Sequence, residues 1–183
     1  DVRHLGPVSV ARSVAHAVED MSAPAGDVLV FLPGGREIRQ AADEIAPLAA
    51  RHRLVVRRLH GDLPASEQDA ALRPDAEGRR KVILSTNLAE TSLTIEGVTA
   101  VVDSGLARVL RFDPRSGLDR LVLSRISRAS ADQRAGRAGR LGPGVAYRLW
   151  AREEERGLAS FDEPEFLRTD LVGPLLAMLL WAP

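Results

Sequence analysis

The chain has 183 residues, with 25 Lys+Arg against 25 Asp+Glu and no cysteine. That length buries a real core in one domain, with the beginning of a second. The charge balance excludes a global field for an anionic partner, so any such partner must meet a local patch. Four Phe, two Trp and one Tyr are too few for a base-stacking platform. His4, His16, His52 and His60 show no ligand spacing, and without cysteine there is no disulfide framework or thiolate site, so no metal centre is expected. No apolar run of about 18 residues appears, and Asp1-Val2-Arg3-His4 does not resemble a signal peptide. The expectation is a cytoplasmic chain with no membrane segment.

Taken in order, Val8 to about Met21 carries the helical stripe Val10, Val14, Ala17, Val18 and Met21, with Ser9 as its cap. Val28–Leu32 is a short continuous apolar run, the mark of a strand buried on both faces of a parallel sheet. Pro33-Gly34-Gly35 turns the chain into a helix from about Arg36 to Ala50, which places these glycines at the strand's carboxyl end, where open α/β sheets bind ligands. Leu54–Leu59 is a second strand, Pro64 to Leu72 a short helix, Val82–Ser85 a third strand and Val98–Asp103 a fourth. Leu106–Phe112 and Leu118–Leu123 read as a hairpin across Asp113–Gly117. A helix over about Ser130 to Arg140 follows, then a strand over Val145–Trp150, a charged helical stretch over Arg152–Arg156, and an apolar helix from about Leu171 to Trp181. Alternating strands and helices predict an α/β fold with a doubly wound, mostly parallel sheet, helices on both faces and an inserted β-hairpin.

Two segments carry chemistry. In Gln133-Arg134-Ala135-Gly136-Arg137-Ala138-Gly139-Arg140, a helix at about 100° per residue puts Gln133, Arg137 and Arg140 on one stripe and turns Arg134 elsewhere. Two interior glycines at about 1 kcal/mol each imply close approach to a neighbour or a ligand. A smooth flank beside two guanidinium forks suits a polyphosphate. The plainer alternatives are a solvated basic helix and a Ser130-x-x-Gln133 capping box that occupies Gln133 with the backbone. The second segment, Thr86 to Glu96, is dense in short neutral donors (Thr86, Asn87, Thr91, Ser92, Thr94) that suit phosphate and sugar oxygens, or equally a turn and cap. There is no G-x-x-x-x-G-K-[ST], so arginines without a phosphate-cradling loop read as half of a site whose nucleotide another lobe holds.

These segments, together with Leu59-His60-Gly61-Asp62-Leu63-Pro64 and Val101-Val102-Asp103-Ser104-Gly105, resemble the second RecA-like lobe of DEAH-box helicases of superfamily 2, most of all the bacterial HrpB branch. The resemblance implies a RecA-like lobe over residues 1–150, with 151–183 as a linker and the first helix of a winged-helix domain. It implies an ATP-dependent RNA helicase whose ATP (or other NTP) and Mg2+ are held mainly by the N-terminal RecA-like lobe of the same protein, this lobe alone being inactive. Arg137 and Arg140 would be arginine fingers and Gln133 would position the attacking water; Ser92, Thr94 and Glu96 would face the ribose and the metal-bound waters. Thr86, Asn87, Gly34 and Gly35 would hold a single-stranded RNA backbone. A catalytically silent nucleic-acid-binding or regulatory module is the alternative, and a self-contained nucleotide-binding protein a third.

Overall fold

The computed structural model describes residues 2–4, 9–21, 26–91, 95–140 and 142–181. Ser92 and Thr94 lie outside the described residues. The described residues include eight strands: β1 (Val2–His4), β2 (Asp27–Phe31), β3 (Val55–Leu59), β4 (Lys81–Ser85), β5 (Val98–Asp103), β6 (Leu106–Asp113), β7 (Leu118–Arg125) and β8 (Val145–Arg148). The helices are α1 (Val10–Asp20), α2 (Gly35–His52), α3 (Ala65–Leu72), the single turn α4 (Leu88–Thr91), α5 (Arg128–Ala135) and α6 (Val172–Trp181). Six strands form one sheet in the order β1-β8-β5-β2-β4-β3, and all its pairings are parallel. β6 and β7 form a separate antiparallel hairpin.

The period-two alternation of a strand decides which residues meet which helices. Val28 and Val30 of β2, Val82 and Leu84 of β4, and Ala100 and Val102 of β5 face α1 and α2, packing on Val14, Val18, Ile38 and Ile45. Leu29, Phe31, Ile83, Val98 and Val101 take the other face, under Ala71, Ala89 and Ala138. Both faces are therefore covered, which is why the central strands read as unbroken apolar runs. Ser9 caps α1 by accepting the Arg12 N–H, as the sequence implies.

The sole lysine is part of this frame. Lys81 is 1% exposed, and its ammonium donates to the carbonyls of Ala71 (2.9 Å) and Arg73 (2.6 Å) while lying 3.3 Å from Asp27. It thus ties the end of α3 to β4 and β2, a buried cation made tolerable by an opposite charge and two acceptors.

Three local expectations change. β1 extends the sheet at its edge beside β8, where no strand is expected from so short a segment. The charged stretch after Trp150 is a 3-10 turn, Glu154–Gly157, not an α-helix. The arginine helix stops at Ala135, five residues early. Residues after Trp150 stay against the lobe: Leu158 packs with Trp150, Ile126 and Ala131, and the Arg128 N–H donates to the Ala159 carbonyl. Along α6, by contrast, Leu175, Leu176, Leu179, Leu180 and Trp181 are all exposed.

Candidate nucleotide and nucleic-acid site

The arginine segment is shaped by where α5 starts and how it ends. Ser127 is the cap, its hydroxyl accepting the Ser130 N–H at 3.1 Å. The capping box on Ser130 and Gln133 therefore does not form, and Gln133 is an exposed α5 side chain. Gly136 makes the last α-type bond, to Asp132. After it, Arg137, Ala138 and Gly139 donate to the carbonyls of Arg134, Ala135 and Gly136, three residues back, at 3.1, 3.1 and 3.3 Å. Three residues per turn bring i and i+3 into register. The backbone after Gly136 is thus wound more tightly than the α-helix on which the stripe of Gln133, Arg137 and Arg140 is drawn.

Arg134, which helical geometry turned away from the site, is the internal anchor. It is 1% exposed; its Nε donates to Glu90 at 2.8 Å, its Nη1 donates to Asp103 at 2.9 Å, and its guanidinium lies 4.8 Å from the Phe31 ring centroid. Ser130 donates to the other Glu90 oxygen at 2.6 Å. Asp103 also accepts the Gly105 N–H. Burial raises the Asp103 carboxyl above the usual carboxylate range, against the pull of Arg134. Arg134 and Asp103 are the residues that periodicity missed, because the carboxylates lie 44 and 31 positions away in sequence.

Arg137 and Arg140 sit differently. Arg137 donates from Nε at 3.0 Å, and from Nη2, to the main-chain carbonyl of Glu90. Both arginines line one cavity with Leu29, Ala89, Ile95 and Val98. At ≈10 Å³ it is no larger than about one water molecule. Burial, and next the charge of Arg140, push Arg137 below the ordinary arginine value, opposed by Glu90. Two like charges held this close invite an anion. A Cβ on Gly139 would meet nothing within 4 Å among the described residues, and one on Gly136 only carbonyls of its own helix, at 3.4 Å. No neighbour among the described residues requires either glycine.

The candidates divide between two places. Leu29 in the middle of β2 and Val98 at the start of β5 place the arginine cavity over a face of the sheet, and the exposed Glu96 lies between Ile95 and β5. Arg134 reaches the carboxyl edge through Asp103. Thr86, Asn87, Gly34 and Gly35 do occupy the carboxyl edge. The Thr86 N–H donates to the Leu59 carbonyl at 3.2 Å. Asn87 is exposed and lines a groove of ≈520 Å³ with Glu90, Arg111, Arg125, Phe161 and Arg168. Gly34, the extended residue before α2, is buried beneath the Arg108–Glu37 pair (2.8 Å); a Cβ there would overlap Arg108 Nη1 at 1.8 Å. Gly35 is half-buried. The turn α4 joins the two places, with Asn87 just before it and the Glu90 carbonyl within it.

A parallel sheet covered on both faces, a hairpin inserted after the strand that ends in Asp103, and an arginine–glycine segment laid across one face define the carboxyl-terminal RecA-like lobe of a helicase. Residues 11–142 match the model of the helicase conserved C-terminal domain, and the chain belongs to that family, among the DEAH-box helicases. It is 48% identical over 156 residues to the ATP-dependent RNA helicase HrpB of Escherichia coli (strain K12), covering 85% of this chain and 19% of that protein. To the probable ATP-dependent RNA helicase DHX34 of Mus musculus it is 47% identical over 154 residues, 84% of this chain and 13% of that protein. The crystal structure of the Escherichia coli DEAH/RHA helicase HrpB superposes with a TM-score of 0.87 at 42% identity, covering 100% of this chain and 24% of that one. The chain thus spans about a fifth or less of the length of these curated relatives. No helix among the described residues is long and apolar enough to cross a membrane.

Proposed function

We propose that this chain is the second motor lobe of an ATP-dependent RNA helicase, completing a nucleotide site whose phosphates and Mg2+ are held mainly by an N-terminal RecA-like lobe. One observation carries the reading. Arg137 and Arg140 share a cavity too small for any nucleotide, beside glycines that no side chain among the described residues packs against. Two forks so presented suit oxygens that gain charge as the γ-phosphoryl transfers. The donor set is cationic, so it fits the polyphosphate and not the metal, which supplies charge neutralisation on the phosphates when bound to the other lobe. Gln133, exposed on α5, orients the attacking water. Ser92, Thr94 and Glu96 face the ribose and the metal-bound waters.

Thr86, Asn87 and the Gly34-Gly35 loop hold a single-stranded RNA backbone, with low base specificity because the contacts are to phosphate and sugar. Since α4 joins this grip to the arginine segment, closing and opening of the nucleotide cleft moves the RNA contacts relative to the first lobe. Residues 151–183 form a linker and the first helix of a winged-helix domain, a reading that the exposed apolar residues of α6 support.

The test compares the 183-residue chain with the full-length protein. The chain alone is expected to hydrolyse no measurable ATP, whereas the full-length protein hydrolyses it with RNA stimulation. RNA affinity of the full-length protein should fall with salt at a slope of about −0.7 per phosphate contacted. Hydrolysis by the isolated chain would contradict the half-site reading, and full-length protein with no hydrolysis at all would favour a silent module.

A further inference from the structure

Glu90 touches the arginine segment at three points. Its Oε1 accepts the Ser130 hydroxyl at 2.6 Å, its Oε2 accepts Arg134 Nε at 2.8 Å, and its main-chain oxygen accepts Arg137 Nε at 3.0 Å together with Nη2. The Glu90 N–H in turn donates to the Asn87 carbonyl at 2.9 Å. We propose that Glu90 is a positioning residue for NTP hydrolysis: its carboxylate locks α4 to α5 so that its own carbonyl sets the Arg137 fork. This inference rests on the reading of Arg137 as an arginine finger.

The chemistry favours positioning over a solvated surface role. The Glu90 side chain is 13% exposed, and it faces a guanidinium that is 1% exposed. Charge-assisted bonds in such surroundings are short, directional and costly to break. Ser130 and Arg134 lie one α-helical turn apart, so two bonds from successive turns of α5 fix both oxygens and leave the carboxylate little freedom. A fork donating two N–H groups to one carbonyl cannot swing without losing both. The peptide bearing that carbonyl is held in place by the side chain of the same residue. Displacing it by about 1 Å displaces Arg137, and misplacement on that scale costs on the order of 10²-fold in rate.

The experiment is a double-mutant cycle in the full-length protein at saturating RNA, reading kcat and KM for ATP in wild type, Glu90→Gln, Arg137→Ala and the double variant. Glu90→Gln is expected to lower kcat by about 10- to 100-fold with KM changed less than about threefold. In the Arg137→Ala background the same substitution is expected to cost less than about twofold, because groups acting as a unit are non-additive. A general loss of structure would instead lower both backgrounds alike, and that result overturns the inference, as does an unchanged kcat in Glu90→Gln. If Glu90→Gln fails to fold, Glu90→Asp keeps the charge and shortens the arm by one methylene; it is expected to show the same non-additivity at about 10-fold, and additivity overturns the inference equally. Wild-type turnover in Arg137→Ala itself marks failure of the finger reading, a result separable from additivity of the two substitutions.

Discussion

Arg134→Ala is expected to destabilise the lobe by about 3–5 kcal/mol, the usual effect of removing one partner from a buried ion pair. The guanidinium bridges Glu90 and Asp103, and its removal leaves Asp103, itself 2% exposed, without its counter-charge. One Asp103 oxygen, Oδ2, is buried with no hydrogen-bond partner among the described residues even in the intact lobe, so little remains to compensate. The Phe31 ring also loses the cation above its face. For a domain of this size the midpoint of thermal unfolding should fall by about 6–20 °C. Arg134→Lys should recover part of the loss, since an ammonium keeps the charge but cannot fork between two carboxylates. Thermal denaturation of both variants checks this, and a midpoint within about 2 °C of wild type for Arg134→Ala contradicts the anchoring role.

Arg140→Ala should leave that midpoint nearly unchanged, Arg137→Ala should lower it by less than Arg134→Ala does because it strips two donors from the Glu90 carbonyl, and in the full-length protein both should lower RNA-stimulated ATP turnover by about 10³-fold or more, as losses of arginine fingers do. Such a drop corresponds to about 4 kcal/mol of transition-state stabilisation. RNA affinity should change little, because Thr86 and Asn87 lie at the carboxyl edge of the sheet, away from the arginine cavity. The contrast with Arg134 is the informative part: the proposal assigns one of the three arginines to the fold and two to a ligand. Steady-state hydrolysis and RNA titrations on the same preparations separate the two effects, and unchanged turnover in both variants contradicts the role given to them.

Much of the fold was legible in the sequence for a physical reason. β2, β4 and β5 are covered on both faces, so their apolar runs are continuous and bounded by turns, and Ser9 caps α1 by a bond between neighbours in the chain. The hairpin was legible from the turn at 113–117, where the Gly117 N–H donates to the Asp113 carbonyl and Gly117 takes a positive φ of 67°. What escaped the sequence depends on distant partners or on a change of winding. β1 is three residues long and owes its strand character to β8, which begins at residue 145. Arg134 looked like the odd arginine out, because at 100° per residue it leaves the stripe. The carboxylates of Glu90 and Asp103 hold it inside. The glycines at 136 and 139 read as a demand for close approach, and no side chain among the described residues makes that approach.

The central claim is that Arg137 and Arg140 stabilise a transition state on a nucleotide held by another lobe. It is tested most directly by comparing affinities for ADP and for ADP–aluminium fluoride, a mimic of the transferring phosphoryl group, in full-length protein with RNA bound. The account predicts that Arg140→Ala weakens the fluoride complex by about 10³-fold and changes ADP affinity by less than about threefold. An equal loss for both ligands, or none for the fluoride complex, would contradict it.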